Sequence, residues 1–158
     1  MRVGGWIEFQ DLTPIPYCDD GTMKEDDAFH AFAHLAVQGM HALGCRRFGD
    51  PIRAEELEKA GFENVHVVVK KVPIGPWARD GWLKTIGTLM KTVMVQTIPA
   101  YLAKPFDALE LAAQERDDLR DMAVNALDDR RVHRYMNMRF VFGQKGPDPA
   151  MDFGSGTL

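Results

Sequence analysis

An α/β fold with only three strands is what the sequence predicts, and three observations predict it. Strand-forming residues cluster in three separate stretches, residues 5–11, 64–72 and 135–142. Between them, apolar residues recur every three or four positions, the period of a helix. Glycine, proline and aspartate mark the transitions. The resulting order is strand, two helices, strand, several helices, strand, which is the alternation of an α/β layer structure. Three strands are few for such a sheet, and at least one is expected to keep an open edge.

The first strand follows the paired glycines Gly4 and Gly5, which suit a tight turn, and Asp11 closes it. Pro14 and Pro16 then exclude regular helix. Asp19-Asp20-Gly21 signals a turn, and Thr22 with Glu25 forms a capping box for a helix carrying Phe29, Phe32, Ala36, Met40 and Leu43, stopped at Gly44. Asp50 caps a shorter helix with Pro51 in its first turn and Gly61 just past its end, where Leu57 and Phe62 supply the closing apolar contact. In the second strand Val65, Val67 and Val69 face one way and Val68 the other, so both faces are expected to be at least partly covered.

Residues 73–77, Pro-Ile-Gly-Pro-Trp, end that strand. Asp80 caps a longer helix with the stripe Leu83, Ile86, Met90, Val93 and Ile98, which Pro99 should kink or end. One or two further helices run from about Asp107 to Leu127. In the last strand Met136, Met138, Phe140 and Phe142 alternate with Asn137 and Arg139. From Gly146 onward the composition is that of a disordered tail.

With 158 residues, 46% of them apolar and 27% charged, the chain has the composition of one soluble globular domain with a core. A net charge of -4 argues against a nucleic-acid partner bound through bulk positive charge. Two cysteines, Cys18 and Cys45, without a paired spacing, fit an intracellular setting, cytoplasmic or nuclear, better than a disulfide scaffold. Neither a signal peptide nor a membrane span is expected, because the most apolar stretch, 88–103, is broken by Lys91, Gln96 and Pro99.

Five motifs occur in order: Gly4 to Asp11 (GGWIEFQD), Ala60-Gly61-Phe62, Pro73 to Trp77 (PIGPW), His133-x-Tyr135 and Gly143-x-Lys145. Together they resemble the C-terminal half of the fungal LaeA-like S-adenosylmethionine-dependent methyltransferases, over nearly all of residues 1–145. The resemblance implies part of a class I (Rossmann-like) methyltransferase fold, whose seven-stranded sheet ends in an antiparallel strand. Residues 5–11, 64–72 and 135–142 would be its last three strands. A helical insertion at about 73–131 would help cover a substrate pocket, and 146–158 would be a disordered tail. The glycine-rich loop and strand-end acid that hold the cofactor in this family have no counterpart here, so no cofactor-binding residue is assigned. The chain is expected to bind S-adenosylmethionine poorly alone. Arg2 and Val3 stand where the family has a basic residue and proline, and Met1 where an internal apolar residue is common, so the chain is expected to begin inside a longer reading frame.

Ligands of open α/β sheets sit beyond the carboxyl ends of the parallel strands. That rim would collect Gln10, Asp11, Tyr17, Trp77, His133 and Tyr135. His133 could take a proton from a substrate hydroxyl or amine, with Asp11 orienting it. The plainer reading makes Trp77 a core anchor and His133 a strand-entry residue bonded to backbone. Glu8, in mid-strand, reads as a structural partner. His30, His34 and His41 share one helix stripe without the further ligands a zinc site needs, so no metal is assigned. Met90, Met94, Met136 and Met138 could line an adaptable apolar pocket or simply fill the core. The run from Glu115 to Asp118 reads as a solvated helix face.

The function expected on this basis is methyl transfer to a small molecule in fungal secondary metabolism, by a complete protein of which this is the substrate-side half. The alternative is a non-catalytic relative that binds another protein, or a second copy, through its open strand edge, with velvet-type regulators the partners the resemblance suggests. A stand-alone α+β ligand-binding domain is a third reading.

Overall fold

A computed structural model of the chain describes residues 1–147. The elements in order are β1 (Trp6–Leu12), α1 (Ala28–Ala42), α2 (Ala54–Lys59), β2 (Phe62–Pro73), α3 (Gly81–Leu102), α4 (Lys104–Asp107), α5 (Ala113–Asp128) and β3 (Tyr135–Lys145). The strands pair in the order β1-β3-β2. β3 is antiparallel to both neighbours: Gly5 and Thr13 pair with Lys145 and Asn137, and Gly61 and Ile74 with Gly146 and Arg134. The expected three strands, the last antiparallel, are thus present among the described residues. Two compact units divide the described residues, one of residues 1–11, 51–69 and 139–147, the other of residues 12–50 and 70–138.

In the first unit the buried residues include Leu57, Val141 and Gly143. A side chain at Gly143 would lie 3.1 Å from a Val65 methyl, so glycine lets β2 and β3 approach there. Phe142 packs against Trp6 and His66, with ring centroids 6.2 and 5.3 Å away. Asn64 has φ 49, a left-handed conformation that asparagine tolerates, and the β2–β3 register shifts by one residue between the Gly61–Gly146 and Ile74–Arg134 pairings. Val67, Val68 and Val69 are 38%, 36% and 48% exposed, so both faces of β2 are partly covered, as the sequence suggested. Among the described residues β2 pairs only with β3.

The second unit holds the core. Phe29, Phe32 and Ala36 of α1 meet Ile98 of α3, Phe106 of α4, Ala123 and Leu127 of α5, and Met136 of β3. Phe106 and Ile98 are completely or almost completely buried, each contributing about 1.5–3 kcal/mol of burial free energy. Close helix packing depends on two glycines. A side chain on Gly39 would lie 2.5 Å from the Pro105 carbonyl oxygen, and one on Gly87 2.1 Å from that of Gly75.

Several helix boundaries differ from the sequence reading. Thr22 and Glu25 do not open α1; Asp27 does, its carboxylate accepting from the His30 N–H at 2.9 Å, because Thr22 is committed to His133. The residue before α2 is Arg53 rather than Asp50, and the Glu56 carboxylate accepts from its N–H at 2.9 Å. Asp80 does cap α3, accepting from Leu83 N–H at 2.9 Å, but Pro99 fails to end the helix, which continues to Leu102. Of the apolar stripe read from the sequence, Ile98 is buried whereas Leu83, Ile86 and Val93 are exposed; Gly87 is the other buried position of α3. Gly146, placed in the tail by composition, is buried and donates its N–H to the Gly61 carbonyl at 3.1 Å. The rest of the expected tail, 148–158, lies outside the described residues.

Candidate functional site

The site is built where residues 17–22 meet the entry of β3. Tyr17 forms a bridge with Tyr135, each N–H donating to the other's carbonyl at 2.7 and 2.9 Å. The chain then turns through Asp19, Asp20 and Gly21, whose φ of +72 is the left-handed conformation that glycine adopts freely. The Asp20 carboxylate accepts from the Thr22 N–H at 3.1 Å and its hydroxyl at 2.7 Å, closing the turn. The Thr22 hydroxyl oxygen in turn accepts the His133 N–H at 2.9 Å.

This arrangement places an imidazole against an ionised carboxylate. His133 Nδ1 lies 2.5 Å from Asp20 Oδ2. Hydrogen bonds from Thr22 first, then from His133, hold the Asp20 carboxyl far below the usual carboxylate range. Trp77, delivered by the loop after β2, stacks on the His133 ring at 4.9 Å and donates Nε1–H to the Arg134 carbonyl at 2.8 Å. Nδ1 carries the bond to Asp20, and no hydrogen bond to Nε2 forms among the described residues. An imidazole oriented through Nδ1 with Nε2 open is a suitable acceptor for a substrate proton.

Tyr135 extends the site. Its hydroxyl donates to Asp19 Oδ1 at 2.6 Å, and Lys71 pairs with the other Asp19 oxygen while its ammonium sits 4.6 Å from the Tyr135 ring centre. Tyr17 stacks on the same ring at 5.9 Å. The bond to Asp19, with burial second, raises the Tyr135 pKa, and Asp19 likewise raises that of Lys71. Behind β3, Arg134 is 3% exposed: Nε donates to both Asp27 oxygens at 3.1 Å, Nη2 pairs with Oδ2 and Nη1 donates to the Ala126 carbonyl at 2.9 Å. Met136, the residue after Tyr135 in β3, belongs to the face opposite Tyr135. There it helps line an apolar cavity of about 120 Å³ with Phe29, Phe32, Ala36, Met94 and Tyr101. Burial raises the Tyr101 pKa, keeping that phenol neutral.

Of the residues singled out in the sequence, Tyr17, Trp77, His133 and Tyr135 come together in the second unit. Gln10 and Asp11 belong to the first, and Gln10 donates to Glu8 of its own strand at 2.5 Å. The carboxylate bonded to His133 is Asp20, of the same unit, while Asp11 lies within β1, which runs on to Leu12. Sequence reasoning missed Asp19, Asp20, Thr22 and Lys71. Asp19-Asp20-Gly21 was legible only as a turn, and no spacing tied it to a histidine 113 residues away. His30 and His34 stand with Nε2 atoms 3.3 Å apart, and His41 Nε2 lies 2.9 Å from the Phe48 carbonyl. No group of three or more metal-ligating side chains occurs among the described residues. No described helix is long and apolar enough to cross a membrane.

Comparison with known proteins agrees with the motifs. The chain is 28% identical to the probable methyltransferase tdiE of Emericella nidulans over 156 residues, 96% of this chain and 48% of that protein. It is 29% identical to the methyltransferase pytC of Aspergillus terreus over 106 residues, 67% of this chain and 33% of pytC. A third relative is the secondary metabolism regulator laeA of Fusarium oxysporum f. sp. lycopersici, 28% identical over 152 residues, 92% of this chain and 46% of that regulator. The chain's relatives are thus fungal methyltransferases and LaeA-type regulators of secondary metabolism, as the motifs indicated. The chain spans about half, or less, of the length of the curated relatives it matches. No protein-family profile matches it, and no solved structure is significantly similar.

Proposed function

We propose that these residues form the substrate-side part of an S-adenosylmethionine-dependent methyltransferase acting on a small molecule of fungal secondary metabolism. The observation that carries this reading is the similarity to probable methyltransferases over nearly the entire chain. A last strand antiparallel to both neighbours supports the class I fold that the resemblance implies. Within such a protein His133, held by Asp20 and stacked on Trp77, accepts the proton that a methyl-accepting hydroxyl or amine gives up. Tyr17, 42% exposed and backed by the Tyr135 ring, offers its outer ring face to a planar substrate.

Among the described residues, neither the Gly75 loop nor the Asp19-Asp20 turn fits the cofactor itself. Gly75, in the loop between β2 and α3, packs against Gly87 and donates its N–H to the Gly87 carbonyl at 2.8 Å, so that loop is not an open cradle. Asp19 and Asp20 already bind Lys71, Tyr135 and His133. We therefore assign no step to the cofactor here. Titrating S-adenosylmethionine into the 158-residue chain in a calorimeter should show no binding in the micromolar range. Micromolar binding with one-to-one stoichiometry would overturn the assignment of these residues to the substrate side.

A further inference from the structure

On the face of β3 away from Tyr135, the second unit holds an apolar cavity that the proton transfer at His133 leaves unused. Helix α1 supplies one wall: Phe29, Phe32, Ala33 and Ala36, all buried, recur at helical spacing as two rings and two methyls. Met94, Ile98 and Tyr101 of α3, at spacings of four and three, supply a second wall, and Met136 of β3 adds to them. Phe32 is held between the Phe106 ring at 5.4 Å and the Tyr101 ring at 6.4 Å, so it is not free to swing in and fill the space. All of these residues belong to one compact unit.

The cavity measures about 120 Å³, several times the roughly 30 Å³ that a water molecule occupies in the liquid. Protein interiors hold few voids larger than one water. Ala33 and Ala36 leave this one open, since larger side chains there would fill it. No charged side chain lines it among the described residues. The Thr97 hydroxyl is already committed to the Val93 carbonyl at 2.7 Å, so a water inside falls short of the roughly two to four partners it needs.

We propose that this cavity binds an uncharged aromatic ring of benzene size. Volume and chemistry both select such a ligand. An engineered cavity of about 150 Å³ lined by leucine, isoleucine and phenylalanine takes up benzene. Phe29 and Phe32 offer ring contacts, while the thioethers of Met94 and Met136 adapt to the ligand's outline and add sulfur–ring contacts. Pro14, Phe48, Thr97 and Tyr101 are half-buried, which gives the cavity a side open to solvent. A carboxylate on the ring would have to shed its water with no cation to meet it. Binding here requires neither His133 nor a cofactor.

Carbon-13 labels on the methionine methyls read this directly, because an aromatic ring shifts the resonances of nuclei beside it. Benzene added to the 158-residue chain up to about 10 mM should shift the Met94 and Met136 methyls saturably, with a midpoint on the order of 1 mM. The methyls of Met1 and Met122, 70% and 50% exposed, should stay in place. Ala33→Leu and Thr97→Leu put carbon into the space of the ring, so each should weaken binding at least about tenfold. Should Ala33→Leu fail to fold, Thr97→Leu, at a half-buried position, decides alone. Benzoate should move neither methyl. An unsubstituted chain without a saturable shift overturns the proposal, as does a shift shared equally by Met1 and Met122. So does full-strength binding in Thr97→Leu, or benzoate binding as tightly as benzene.

Discussion

Arg134→Met gives the sharpest test of how β3 is anchored beside the site. The guanidinium is 3% exposed and the Asp27 carboxylate 6%, and three of the four guanidinium hydrogen bonds go to Asp27. Methionine keeps the length of the side chain but leaves the carboxylate buried with only the His30 N–H at 2.9 Å as partner. Breaking a buried pair from one side costs about 3–5 kcal/mol, because the remaining charge stays desolvated. That is a large part of a total stability on the order of 5–15 kcal/mol. Urea unfolding followed by circular dichroism should show this loss with an unchanged m-value. Adding Asp27→Ser removes the stranded charge while keeping a helix cap, so the double variant should recover at least about 2 kcal/mol of it. The backbone bonds that Arg134 makes to Trp77 and Ile74 are untouched by either change. A loss below about 1 kcal/mol for Arg134→Met, or no recovery in the double variant, would refute the reasoning.

Three further outcomes follow from the same geometry. Asp20→Asn should abolish the downfield proton resonance expected for His133 Nδ1–H, now hydrogen-bonded at 2.5 Å; its persistence in that variant would show that another group holds the imidazole. Gly87→Ala would force a methyl to within 2.1 Å of the Gly75 carbonyl oxygen, so it should cost about 3 kcal/mol in thermal or urea unfolding, and a neutral result would contradict the packing of α3 on that loop. Burial, then repulsion from His34, lowers the His30 pKa below 6.5. Between that lowered value and 6.5 the unfolded chain binds the proton more readily, so stability is fully present above 6.5 and falls as pH drops through the window. His30→Gln should flatten this part of the stability curve, and an unaltered curve would contradict it.

Local signals were the ones legible in the sequence. Strand alternation located β1, β2 and β3, and Asp80 could be read as a cap because the bond it makes reaches only to Leu83. Thr22 misled because its hydroxyl, the right chemistry for a cap, is used by His133 more than a hundred residues away. The period of α3 announced an amphipathic helix but not which stripe meets the core, since the buried positions of α3 are Gly87 and Ile98, and a glycine gives no apolar signal. In the same way, residue types proposed His133, Tyr135, Tyr17 and Trp77 for the site. Asp20 as the orienting group depends on a turn folding back to the entry of β3, which no periodicity encodes.

The central claim is that these residues are the substrate side of a methyltransferase with His133 as proton acceptor. It is tested most directly by following transfer of an isotopically labelled methyl group from S-adenosylmethionine by a protein in which a cofactor-binding half precedes them, with and without His133→Gln. The account predicts transfer by the unsubstituted protein and a loss of about 10²–10⁴-fold in rate for the variant. Equal rates for the two proteins, or transfer by the 158-residue chain alone, would contradict it.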